Sequence, residues 1–268
     1  MELAVRDLCF GYGDKETIRG ISLTLGEGQC VSIVGPNGAG KTTLLKCLGA
    51  IVPTKRGVIA LDGKPLMEYA AKERARRIAY VPQQGAGSFP MTVMDTVMLG
   101  RKPYVSWSIG ERDLLIVERI LQDLNLTAMS SRFVDELSGG ERQKVWIARA
   151  LAQQPDILLL DEPIAALDIR HQLEVLEKTR ELASRDGTLI VMILHDLELA
   201  ARFSDRLILM NRGEVVMKGQ PSEVLTHDRI REVYGVEVVL ENGPLGLKVT
   251  PVRPLPKLTE GKVEGIMR

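Results

Sequence analysis

Val31-Ser32-Ile33-Val34 runs directly into Gly35-Pro36-Asn37-Gly38-Ala39-Gly40-Lys41-Thr42, and beyond Thr43 an apolar-periodic stretch continues through Leu44, Leu45, Cys47 and Leu48. The eight residues from Gly35 fit G-x-x-x-x-G-K-[ST] at every fixed position, with a β-prone run before them and a helical pattern after them, the context that motif requires. Glycines let the backbone curl so that successive N–H groups point inward at an anion, and a helix start adds a favourable dipole. Lys41 supplies positive charge for the β and γ phosphates of a nucleotide, and the Thr42 hydroxyl is a ligand for Mg²⁺. The stretch Gly35 to Thr43 is therefore the expected triphosphate site.

Outward from this stretch, short β-prone runs recur: Ala4 to Phe10, Ile21 to Leu25, Cys30 to Val34, Val58 to Leu61, Ile78 to Val81, Ile157 to Leu160, Leu189 to Leu194 and Leu207 to Met210. Several are continuously apolar rather than alternating, as in strands buried on both faces, so a largely parallel α/β core is expected. Helical patterns cover Lys41 to Ala50, Glu111 to Leu124, Glu141 to Gln153, Ile169 to Asp186 and Leu197 to Phe203. Between Val81 and Ile157 only helical periods occur, which reads as a helical lobe inserted into the core. Asn211-Arg212-Gly213 between two β-prone runs suggests a hairpin. From Pro244 to Arg268 four prolines and weak periodicity suggest a partly ordered extension.

Ile157-Leu158-Leu159-Leu160 ends abruptly in Asp161-Glu162. Acids at the C-terminal end of a parallel strand sit where α/β proteins place their ligands. Asp161 suits a Mg²⁺ partner, and Glu162 suits a base accepting a proton from an attacking water.

The 268 residues include 35 basic and 35 acidic side chains, which cancel and give no sign of a nucleic-acid partner. The longest apolar run, Leu189 to Leu194, falls far short of the roughly 20 residues of a membrane span. Met1 to Asp7 lacks the pattern of a secretory signal, which favours a cytoplasmic location. Cys9, Cys30 and Cys47 are odd in number and lack paired spacing, so they read as small buried hydrophobes.

Leu137-Ser138-Gly139-Gly140-Glu141 places a hydroxyl and two glycines ahead of a helix, a second anion-binding helix start in a chain with one triphosphate loop. Two copies placed head to tail, each covering the other's nucleotide, resolve the mismatch. The pentapeptide resembles the signature of ATP-binding cassette (ABC) ATPases, and the resemblance covers roughly the first 235 residues. It implies a P-loop NTPase (RecA-like) core with an antiparallel β subdomain and an inserted helical subdomain at about 84–153, the cassette occupying 1–243 and an extension 244–268.

By the same resemblance, Tyr12 would stack on adenine, Gln83 would approach Mg²⁺ and the attacking water, and His195 would bond the γ-phosphate. Ser138, Gly139, Gly140 and Glu141 would meet the ATP of the opposite chain. Asp168 would be the D-loop aspartate, although Ile164 and Ala165 replace two hydroxyl residues common in the family. His171 and His227 have no such placement and read as surface residues.

Long coiled coils, zinc modules and a second cassette, which mark the DNA-repair and translation members, are missing from this sequence, which favours the motor of a membrane transporter on the cytoplasmic face of the membrane. Thr92 to Pro103, with its Leu99-Gly100-Arg101-Lys102-Pro103 run, and Val233 to Val238 resemble segments of iron-siderophore, haem and cobalamin importer ATPases; zinc and manganese importers are the nearest alternative. The implied partners are a second copy, a separate permease and, indirectly, an extracytoplasmic binding protein. Met98, Leu99, Arg101 and Tyr104 are candidates to line the surface that receives the permease.

Overall fold

The computed structural model describes residues 1–83, 90–105, 108–165 and 167–256. The strands are β1 (Glu2–Tyr12), β2 (Lys15–Gly26), β3 (Cys30–Val34), β4 (Arg56–Leu61), β5 (Lys64–Pro65), β6 (Ile78–Val81), β7 (Ile157–Leu160), β8 (Leu189–Ile193), β9 (Arg206–Asn211), β10 (Glu214–Gly219), β11 (Val236–Gly243) and β12 (Gly246–Pro254). The helices are α1 (Lys41–Leu48), α2 (Ala71–Arg77), α3 (Val93–Met98), α4 (Glu111–Asp123), α5 (Gly139–Ala152), α6 (Ile169–Asp186), α7 (Leu197–Phe203), α8 (Pro221–Val224) and α9 (His227–Tyr234).

Six strands form a sheet in the order β10-β9-β3-β8-β7-β6, parallel from β9 to β6 with β10 antiparallel at one edge. Its central strands β3, β7 and β8 are buried at every residue, which is why their sequences do not alternate. Successive side chains along them enter two different cores. Val31, Ile33, Leu159 and Val191 pack with Leu44, Leu45 and Leu48 of α1 and with Leu3, Val5 and Leu23 of the antiparallel sheet β2-β1-β4-β5. Cys30, Val34, Leu158, Leu160 and Met192 pack on the other face with residues of α5, α6 and α7.

The expected α/β class and the antiparallel subdomain are both present. Between β6 and β7 the described residues hold α3, α4 and α5 and short 3₁₀ turns. The lobe's expected start at Gln84 lies outside the described residues. No helix among the described residues is long and apolar enough to cross a membrane. Cys30 and Cys47 are buried as expected, and burial pushes their thiols up to about 12 and about 11; Cys9 is only half-buried, and its sulfur accepts from the Gly20 amide at 3.3 Å.

The expected boundary at Gly243 falls at the tip of the β11–β12 hairpin, where Gly243 pairs with Gly246. Leu240, Leu247 and Val249 lean on the second core, and the Leu255 amide bonds the Gly235 carbonyl at 2.7 Å, fixing the hairpin root. Residues 257–268 of the expected extension lie outside the described residues.

Candidate functional site

The C-terminal ends of neighbouring parallel strands collect the chemistry-bearing residues. β3 leads into Gly35, β8 into His195, β7 into Asp161 and Glu162, and β6 into Gln83. Strand order β3-β8-β7-β6 thus brings segments far apart in sequence to one edge, where α/β sheets bind ligands.

The Gly35–Gly40 loop owes its path to close backbone approaches. Gly35 has φ +148°, and a Cβ there would fall 2.2 Å from the Met210 carbonyl oxygen of β9. The β9–β10 turn braces the loop from beneath: Arg212 and Gly213 both have positive φ, and the Gly213 amide donates to the Ala39 carbonyl at 3.0 Å. The buried Lys41 ammonium reaches back across the loop to the carbonyls of Gly35 (2.7 Å) and Pro36 (3.0 Å). Burial lowers its pKa, while the negative charges of Glu162 and Asp161 work in the opposite direction.

Thr42 lies one residue into α1, and its hydroxyl donates to Oδ1 of Asp161 at 3.0 Å. Asp161 is buried, and its amide continues the sheet by bonding the Val81 carbonyl at 2.9 Å. Its second oxygen, Oδ2, accepts a hydrogen bond from the Tyr80 hydroxyl at 2.9 Å. Tyr80 has no assignment in the sequence reading, because inside β6 it counts as one more β-prone residue.

Glu162 has φ +52°, a left-handed backbone that costs a non-glycine residue about 1–2 kcal/mol and turns the carboxylate out of the strand direction. That carboxylate is held at both oxygens: Oε1 lies 2.6 Å from His195 Nε2, and Oε2 accepts from Gln83 Nε2 at 2.6 Å. A cleft of about 120 Å³ bordered by Glu162, Ile164, Gln172, His195 and Leu199 opens beside it. A larger hollow, about 620 Å³, lies at the opposite ends of β7 and β8, against Met1, Arg119, Lys178 and Thr188, and contains none of the site residues. Tyr12, 52% exposed at the end of β1, meets the Phe10 ring edge-to-face at 5.0 Å.

Ser138 caps α5. Its hydroxyl accepts from the Glu141 amide and donates to Glu141 Oε2 at 2.7 Å, while its own amide reaches the same oxygen at 2.9 Å, a reciprocal box that holds the Glu141 carboxyl below the usual range. Asp168 caps α6 in turn, accepting from the His171 amide and lying 2.9 Å from His171 Nδ1. His171 is thus not a free surface residue: helix spacing carries it over Asp168, and a Cβ on Gly140 would touch its ring at 3.5 Å. His227 is exposed.

The lobe surface differs from the one expected to receive the permease. Arg101 is 3% exposed, pairs with Asp113 at 2.8 Å, and donates to the Ala152 carbonyl and to Gln154. Its guanidinium lies 4.0 Å from the Tyr104 ring centroid, and the Tyr104 hydroxyl bonds the Gln153 carbonyl. Gly100 sits so close to α5 that a Cβ would fall 2.1 Å from the Arg149 carbonyl oxygen. Gly100 and Arg101 are therefore internal joinery of the lobe, and Arg101 does not line an open surface; Leu99 alone of the four candidates is exposed.

Residues 18–165 match the ABC transporter family. The chain belongs to that family. It is 42% identical over 90% of its length to an uncharacterized ABC transporter ATP-binding protein of Methanocaldococcus jannaschii, of which it covers 94%. It is 37% identical over 94% of its length to the petrobactin import ATP-binding protein FpuC of Bacillus anthracis, of which it covers 93%. A solved metal-chelate type ABC transporter in an inward-facing conformation superposes with a TM-score of 0.82 at 27% identity, covering 94% of this chain and 97% of the other. The cassette is thus an ATP-binding, ATP-hydrolysing unit of membrane transport.

Proposed function

We propose that this cassette hydrolyses ATP as a head-to-tail dimer on the cytoplasmic face of a membrane and drives a separate permease that imports metal chelates of the iron-siderophore, haem or cobalamin kind. The observation that carries the reading is the carboxylate of Glu162, held at one oxygen by His195 and at the other by Gln83, next to the Thr42–Asp161 pair. The petrobactin relative and the metal-chelate structural neighbour support the cargo class. Zinc or manganese import is the alternative cargo.

The loop from Gly35 to Thr43 offers backbone N–H groups to the phosphates, and Lys41 adds a point charge there. Tyr12 presents an exposed ring for adenine at the end of β1. Thr42 and Asp161 offer oxygen donors 3.0 Å apart, and among the described residues no three His, Cys, Asp or Glu side chains form a metal cage. One hydroxyl and one carboxylate suit Mg²⁺, which is bound through few protein oxygens and completed by phosphate and water. When bound there, such an ion would supply positive charge against the phosphates.

Glu162 takes the proton of the attacking water, Gln83 orients its carboxylate, and His195 steadies the base and donates toward the γ-phosphate. Ser138, Gly139 and Gly140 present a second helix start, which supports placing the nucleotide of the opposite chain there. Asp168 lies at the neighbouring helix start, linked to the signature through His171. Closing and reopening the dimer would move the helical lobes, and with them the permease.

The test is to isolate the cassette with its membrane partner, reconstitute both in vesicles with the extracytoplasmic binding protein, and measure phosphate release with the binding protein loaded with an iron chelate or with Zn²⁺. Stimulation by the chelate supports the reading; stimulation by Zn²⁺ alone transfers the cargo to the alternative; failure to recover a membrane partner removes the transport reading.

A further inference from the structure

Asp161 offers two oxygens, and both have protein donors. Oδ1 accepts from Thr42 on α1, and Oδ2 accepts from Tyr80 on β6 at 2.9 Å. The Tyr80 donor is built into the sheet. Tyr80 pairs with Leu159 in the parallel register of β6 and β7, so its side chain leaves the same face as Leu159 and reaches two residues along to Asp161. Its ring packs against the core that contains α1, so the hydroxyl cannot swing away without the ring leaving that packing.

Asp161 is 2% exposed, so water does not readily replace a lost partner.

We infer that Tyr80 is the positioning residue for the metal-binding carboxylate: it fixes the rotation of Asp161 so that Oδ1 stays beside Thr42. The inference rests on the reading of Thr42 and Asp161 as the Mg²⁺ donors. Two features separate it from generic packing. The contact is made by the hydroxyl, not by the ring, and it falls on the oxygen that Thr42 leaves free. The same strand also leads to Gln83, which bonds Glu162, so β6 steadies the two neighbouring acids with different side chains. Tyr80 thus touches the acid that closes β7, and Gln83 touches the acid after it.

Partners of metal ligands commonly cost 10- to 100-fold in metal affinity when removed. Tyr80→Phe deletes one oxygen and keeps the ring. In the full-length protein, ATP binding measured in EDTA should stay within about twofold of wild type, while the Mn²⁺ concentration that half-saturates the ATP complex, followed by electron paramagnetic resonance of the ion, should rise about tenfold or more. Excess Mg²⁺ should then restore most of kcat, leaving the defect in the metal dependence.

An unchanged Mn²⁺ half-saturation overturns the inference and leaves the metal reading intact. Equal losses of ATP binding with and without metal overturn it by assigning Tyr80 to the packing of the phosphate loop. Absence of ATP-dependent Mn²⁺ binding in the wild-type protein overturns the metal reading first, and the role of Tyr80 with it.

Discussion

Nε2 of His195 lies 2.6 Å from Oε1 of Glu162, bringing the residues that follow β8 and β7 into direct contact at the edge of the sheet. The pair needs both strand ends: Glu162 in its left-handed conformation, and His195 directly after Leu194. His195→Ala removes one of the two groups holding the carboxylate. Hydrolysis should fall about 10²-fold, the scale of lost acid-base help, with ATP affinity little changed. An equal loss of binding and turnover would assign His195 to the nucleotide's ground state.

Arg101 and Asp113 make the next prediction. Breaking a buried ion pair by removing one partner costs about 3–5 kcal/mol because the other charge is stranded. Arg101→Glu should therefore lower the melting temperature and hydrolysis of the isolated cassette together. A variant as stable as wild type that lost only stimulation by the permease would return Arg101 to the coupling surface.

The same pair has a pH signature. Arg101 holds the Asp113 carboxyl below its ordinary value of 3.8. A carboxyl depressed in the folded protein contributes stability that is fully present above the unfolded value and is lost as pH falls through the folded one. Wild type should therefore melt above Asp113→Asn at neutral pH, and the gap should shrink as pH drops below 3.8. A gap constant with pH would mean that the carboxylate charge is not what Asp113 contributes.

Head-to-tail pairing predicts complementation. In a mixture of Lys41→Ala and Ser138→Arg chains, each hybrid dimer holds one site with both substitutions and one site with neither. ATP hydrolysis should recover on mixing two inactive proteins, and no recovery would count against a signature that serves the opposite chain.

The sheet was legible because its strands are apolar runs with sharp ends. β3, β6 and β7 have the boundaries read from the sequence, and α6 and α7 begin where Asp168 and Asp196 cap them. α2 has no buried residue, so no apolar period marks it. The β11–β12 hairpin is exposed along much of its length and carries prolines, which hides its pairing.

At the site, residues in motifs were readable, whereas residues that act through a cross-strand or cross-helix contact were not. Tyr80 gains its role from the register of β6 on β7, and Arg101 loses its expected one to a carboxylate on a different helix. His171 differs again, since its partner lies three residues away at a helix start, and the i, i+3 spacing behind Asp168 was a signal that could have been used.

The most direct test of the account is Glu162→Gln assayed for both ATP binding and phosphate release. The amide keeps the shape of the side chain and removes the base. ATP should still bind, phosphate release should fall by about 10² or more, and an ATP-bound dimer should accumulate. Wild-type turnover by Glu162→Gln would contradict the account, because the carboxylate held by His195 and Gln83 would then not be the group that takes the proton.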